Sequence, residues 1–215
     1  MAVRSATLDR PSRFVRALRD EAGHAERARL IAGMADALTS CSYPELTVEE
    51  VARRAGLPRA RFHQHFDDLE ACFLATYSAC GDLLRAQTTA AVLDSAGQPY
   101  EERIAAGVRA YLQTLADEPG LGRAFLRDVQ LAGPEALRRR RAINRQFATM
   151  MVTLAEQHAD ELPPGYAVHP DMAIELVEAQ EELILVNLAA DRAQDLPRLA
   201  DTVTRLIHAA LVVGD

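Results

Sequence analysis

The stretch between Leu46 and Phe66 constrains the fold more than any other part of the chain. Thr47 followed three residues later by Glu50 is a capping box, in which the hydroxyl and the carboxylate satisfy amides left free at a helix start. Val48, Val51 and Ala52 give that helix one apolar face, and Gly56 ends it after little more than two turns, because glycine accepts the left-handed conformation at a helix C-terminus. Leu57 and Pro58 lead into a second short helix, Arg59 to about His65, which Phe62 and Phe66 pin from one side. Two short helices joined by a tight Gly-containing turn make a helix-turn-helix.

The rest of the chain also reads as helix, and an all-α fold follows. Leu30, Ile31, Met34, Ala35 and Leu38 recur at three and four spacing and make an apolar stripe on a helix that starts near Ala22 and ends near Cys41. Asp67 and Glu70 open a long helix to about Leu93, broken by Gly97, Gln98 and Pro99. Further helices are expected over about 100–116, within 119–133, over 134–160, 171–191 and 197–213, with a loop over 162–170 that holds three Pro and a Gly. That makes nine helices and no strand. Ahead of them, residues 1–21 hold five Arg and read as a basic arm, helical from about Pro11.

The net charge of −7 argues against nucleic acid until it is divided along the chain. Residues 1–66 carry 11 Arg against 8 acids, a net of +3, and residues 67–215 carry 13 against 23, a net of −10. A small basic head on an acidic body follows, with domains expected at 22–66 and 67–215 behind the arm. No stretch resembles a signal peptide or a membrane span, so a cytoplasmic protein is expected. Cys41, Cys72 and Cys80 are odd in number and match no metal spacing, as free thiols in a reducing compartment would. Cys72 and Cys80 lie about two helical turns apart, ~12 Å, too far to bridge.

At this point the motifs resemble a known family. Arg29-Leu-Ile-Ala, Tyr43, Thr47-Val48, Ala52, Ala55-Gly56-Leu57, Phe62, His65-Phe66 and Cys72-Phe73-Leu74 resemble the tetracycline-repressor (TetR) family over about residues 27–80. Glu118-Pro-Gly-Leu-Gly-Arg-Ala-Phe-Leu and Ala132-Gly-Pro-Glu-Ala-Leu resemble a ligand-domain segment of some members. The resemblance implies three DNA-binding helices, four helices around a ligand and two that dimerise. Ser42, His63 and Leu69 depart from the pattern, standing where the family usually has Gly, an aromatic residue and Lys. The expected protein is thus a homodimeric, sequence-specific regulator, a repressor released by a small molecule, with double-stranded operator DNA as its partner. An activator, or a head adapted to bind protein, is the alternative.

A recognition helix presents to the major groove the face opposite its core anchors. With Phe62 and Phe66 inside, Ala60 and Gln64 point outward, flanked by Arg61 and His63, with Arg59 at the exposed start. Arg suits guanine and Gln suits adenine, which makes Arg61 and Gln64 the expected base readers, with Thr47 and His63 on phosphates. His65, beside the aromatic anchors, is expected to be a structural hydrogen-bonding residue, and no third metal ligand accompanies His63 and His65.

In the body, Phe73, Tyr77, Val108, Tyr111, Leu112, Phe125, Asn144, Phe147 and Met151 are the candidate ligand-lining residues, because pockets are mainly apolar with a few placed polar groups. A hydrophobic or amphipathic effector is expected; an acidic body with little buried positive charge points away from a highly anionic one. Leu176, Gln180, Leu183, Ile184 and Asn187 form a stripe on the penultimate helix, and Val203, Leu206, Ile207 and Ala210 one on the last. Such stripes suit a four-helix dimer interface or a core within one chain; the resemblance selects the dimer. No nucleophile–base pair, phosphate loop or metal cluster appears, and the adjacent pairs Asp67-Asp68 and Glu181-Glu182 diverge on a helix, so neither an enzyme nor a cofactor is expected.

Overall fold

A computed structural model describes residues 13–22, 25–161 and 169–211, apart from the side chains of residues 21, 22, 210 and 211. Among the described residues the chain is all-α, with ten α-helices and no strand. The helix additional to the expected nine is α1 (Arg13–Ala22), which the charge pattern assigns to the arm. It is docked rather than free: Phe14, Val15 and Leu18 are buried in the main core. The expected arm before residue 13 lies outside the described residues.

The head continues with α2 (Glu26–Leu38), α3 (Val48–Ala55) and α4 (Arg59–Phe62). Thr47 caps α3 as its sequence demands, its hydroxyl accepting from the Glu50 amide at 3.2 Å. Gly56 closes α3 with φ +64°, and the Arg29 guanidinium donates to the carbonyls of Ala55 and Gly56 at 2.9 and 2.8 Å, satisfying groups that a helix end leaves open. α4 is shorter than expected. After Phe62 the backbone tightens to three-residue bonds, Gln64 to Arg61 and His65 to Phe62, which bring Phe66 into the core beside Phe62.

The body comprises α5 (Leu69–Asp94), α6 (Tyr100–Asp117), α7 (Pro119–Leu126), α8 (Pro134–Gln157), α9 (Pro170–Ala189) and α10 (Ala200–Leu211). Asp68 caps α5 through the Ala71 amide at 2.8 Å, and prolines stand at the starts of α7, α8 and α9, where no amide is needed. Short 3-10 turns at 128–131, 159–161 and 193–199 replace the ends of three helices expected to be longer.

Two apolar clusters fill the molecule. One runs unbroken from the head through α5 and α8; the other gathers α6, α9, the 193–199 turn and α10. Head and body meet along the stretch from Glu118 to Leu131. The Phe14 amide donates to the Glu118 carboxylate at 3.4 Å, and the Tyr43 amide donates to Asp128 at 2.9 Å. Both carboxylates are buried. Between them Gly120 lies against the end of α2, where an added Cβ would stand 2.6 Å from Thr39 Cα and 2.7 Å from the Leu38 carbonyl. Backbone cannot yield there as a side-chain tip can, so Gly120→Ala is expected to lower stability by at least ~1–3 kcal/mol in urea unfolding, the cost of forcing extra volume into a packed site.

Candidate DNA-reading face and ligand cavities

The head presents its polar side chains on one outward face. Phe62 and Phe66 are buried, while Arg59, Ala60, Arg61, His63 and Gln64 are all exposed, as is Thr47 at the start of α3. Arg61 donates to Gln64 Oε1 at 2.8 Å, which holds the two expected base readers together. Arg59 pairs with Glu49 at 2.8 Å, and Arg61 lies 3.6 Å from Glu26. Exposed pairs of this kind contribute little, so these guanidiniums can exchange a carboxylate for a phosphate or base edge at small cost. His65 is half-buried against Glu26, Nε2 to Oε2 3.0 Å.

The face is held rigid from behind by Arg54, a residue with no site role in the sequence reading. Its guanidinium reaches Glu50 at 2.7 Å, the Asp36 carbonyl at 2.8 Å and Ser40 at 2.7 Å, tying α3 to α2. Hydrogen bonds from Arg53 and Arg54 hold the Glu50 carboxyl at about 2, well below its ordinary value of 4.5. A depressed folded-state value means stability that is complete above the unfolded value and is lost as pH falls through the folded one. Acid unfolding followed by circular dichroism should therefore weaken the protein between about pH 4.5 and 2, and Glu50→Gln should flatten that part of the curve.

The body encloses two neighbouring cavities. The first, about 50 Å³, is walled by α5, α6, α7, α8 and α9, with Phe14 of α1 closing one side. The second, about 80 Å³, lies between α5, α6 and α8, with Gln180 of α9 and Ile207 of α10 completing its wall. Tyr111, Phe147 and Gln180 belong to both walls, and the two rings meet edge to face with centroids 5.7 Å apart. Of the expected lining residues, Tyr77, Phe125 and Asn144 face the first cavity, Val108 and Met151 the second, and Tyr111 and Phe147 both. Phe73 and Leu112 line neither. Phe73 stacks on Tyr43 and Tyr77 in the head–body core, and Leu112 fills the second cluster.

Both cavities carry charge that the sequence reading did not place. In the first, Glu181 is buried and accepts from Arg140 at 2.6 Å and Asn144 at 3.2 Å. Burial pushes its carboxyl up, and the Arg140 guanidinium only partly counters this. In the second, Arg103 is 3% exposed and donates through Nη1 to Glu161 at 3.0 Å and through Nη2 to His158 Nε2 at 2.7 Å. Its Nε is buried without a partner. His158 Nδ1 stands 3.2 Å from Glu161 Oε1. Cys80 lines the first cavity and Cys72 sits behind it; burial pushes both thiols up, Cys72 to about 12, so neither is a ready nucleophile.

The expected dimer stripes divide. Ile184, Val203 and Ile207 are buried in their own chain's second cluster, and Gln180 faces the cavities. Leu176, Leu183 and Asn187 are half-buried, Leu206 is exposed, and the Ala210 side chain lies outside the described residues. α9 is apolar on two sides: Ala173, Val177, Ile184 and Leu188 point inward, while Met172, Leu176, Leu183 and Val186 run along the outer side.

Among the described residues no group of His, Cys, Asp and Glu could hold a metal ion, and no helix is long and apolar enough to cross a membrane. No family model matches the sequence, and no curated protein is similar to it. Solved structures are similar in fold. The transcriptional regulator FadR of Bacillus subtilis, in complex with stearoyl-CoA, superposes with a TM-score of 0.69 at 14% identity, over 85% of this chain and 97% of that one. FadR of Thermus thermophilus, a TetR-family repressor in complex with lauroyl-CoA, gives 0.62 at 19%, over 88% and 96%. A TetR-family regulator of Pectobacterium atrosepticum gives 0.65 at 19%, over 87% and 94%. The chain thus has the two-part, all-α fold of the TetR-family transcriptional regulators.

Proposed function

We propose that this protein is a homodimeric, sequence-specific DNA-binding regulator of the TetR kind, a cytoplasmic repressor that a hydrophobic or amphipathic small molecule releases from double-stranded operator DNA. The observation that carries this reading is the shared use of one stretch of chain. Glu118 to Leu131 walls the first cavity through Glu118, Leu121, Phe125 and Leu126, and holds the head through Glu118, Gly120 and Asp128. A ligand that parts the cavity walls strains the contacts that set the angle of the reading face, and favours the conformation in which they relax. The FadR structures in complex with acyl-CoA support a ligand site inside a body of this fold.

The reading face supplies the DNA contacts: Arg61 and Gln64 on base edges, Arg59, His63 and Thr47 on phosphates. Dimerisation rests on the outer side of α9 and on α10, where Met172, Val186 and Leu206 are exposed beside Leu176 and Leu183. An apolar stripe of that length on a single chain is what a two-fold partner covers.

Fluorescence anisotropy with DNA from upstream of the protein's own gene, at two salt concentrations and with excess competitor, tests the regulator. Saturable, salt-sensitive binding is expected, and Arg61→Ala with Gln64→Ala should remove about 1–3 kcal/mol per lost base contact while leaving the helical signal unchanged. Operator affinity that survives the double substitution sinks the assignment of the reading face. Leu183→Glu with Val186→Glu should give a monomer in analytical ultracentrifugation and abolish operator binding; a dimer that persists moves the interface elsewhere.

A further inference from the structure

The second cavity is mainly apolar, with Val92, Ile104, Val108, Met150 and Leu154 on its walls and Thr88 and Gln180 as neutral polar groups. Arg103 lines it beside His158. The guanidinium spends one nitrogen on Glu161 and another on His158, yet its Nε–H is buried with no acceptor. Left unpaired, such a donor carries its full desolvation cost. The edge that Nε shares with Nη2 is the fork that takes a carboxylate through two parallel hydrogen bonds. Glu161 sits at the outer side of the same guanidinium, about half exposed.

We propose that the effector is a monocarboxylic acid with an apolar tail, its carboxylate on the Nε edge of Arg103 and its tail running between α6 and α8 toward Tyr111 and Phe147. This rests on the ligand-binding role proposed above and names the class of ligand. One guanidinium with a carboxylate already beside it suits a single negative charge; a polyphosphate head would meet Glu161 without a second cation. The tail reaches the Tyr111–Phe147 contact, which with Gln180 forms the wall the two cavities share. The acid therefore enters as a wedge from the second cavity toward the first, whose wall holds the head.

The test uses the full-length protein and two probes of equal tail length, octanoate and octan-1-ol, titrated by calorimetry at neutral pH. The wild type should bind octanoate about tenfold or more tightly than the alcohol. Arg103→Met should abolish that preference while its affinity for the alcohol stays within about twofold, which also reports that the cavity remains folded. Glu161→Gln, which removes the competing carboxylate, should tighten octanoate and leave the alcohol unchanged, a response that a purely structural Arg103 does not produce. Equal affinities of the wild type for the two probes, or a preference that persists in Arg103→Met, overturn the assignment, as does failure of octanoate to bind. If Arg103→Met no longer binds the alcohol, the Glu161→Gln response decides: unchanged octanoate affinity there overturns the proposal as well. Operator binding measured on the same samples stands apart from all of these, so loss of the ligand class and loss of the regulator are told apart.

Discussion

Two buried carboxylates on one short stretch of chain hold the head and body in a single arrangement. Glu118 accepts the amide of Phe14 at the start of α1, and Asp128 accepts the amide of Tyr43 in the link between α2 and α3. Each is a buried acceptor for a backbone donor, a hydrogen bond that is costly to leave unmade inside a protein. Arg127 balances Asp128 from the solvent side at 2.9 Å. Gly120, between the two, lets backbone approach backbone. Together with the core that α2 shares with α5, this joint sets how the head sits on the body.

The cavities make sense in that setting. They are small as they stand, with room for a few waters rather than a bulky guest, and the Tyr111–Phe147 contact divides them. A close-packed interior resists gradual swelling and tends to have discrete alternatives. Occupation by a long apolar molecule therefore requires a second arrangement of α6, α7 and α8. Since α7 touches the end of α2 at Gly120, an arrangement that moves α7 bears on the head as well.

The head was legible in the sequence because its signals are local: a cap at Thr47, a left-handed Gly56 and a pair of aromatic anchors each fix backbone within a few residues. The length of α4 was not, since three-residue and four-residue bonding share nearly the same side-chain pattern. The helical character of α1 was expected from about Pro11, but its docking was masked by its own charge. Its Arg residues suggested a free arm, whereas Phe14, Val15 and Leu18 supply a core-facing side. In the body, periodicity identified which residues are apolar but not what they face. Ile184 and Val186 stand two apart on α9, one sealed in the chain's own core and the other open. Glu118, Asp128 and Arg103 were invisible as site residues, because a charged side chain reads as surface until tertiary structure surrounds it.

Phe14 closes one side of the first cavity, while five residues further along the same helix Arg19 reaches the Arg54 carbonyl behind the reading face. The first helix is thus both a panel of that cavity and a brace on the head. Sequence drift in this segment has an unusual reach: exchanging one aromatic side chain ahead of α2 reshapes the chamber, with the exposed side chains of α4 and the outer side of α9 left as they were. A change in what the body encloses need not begin in the body at all.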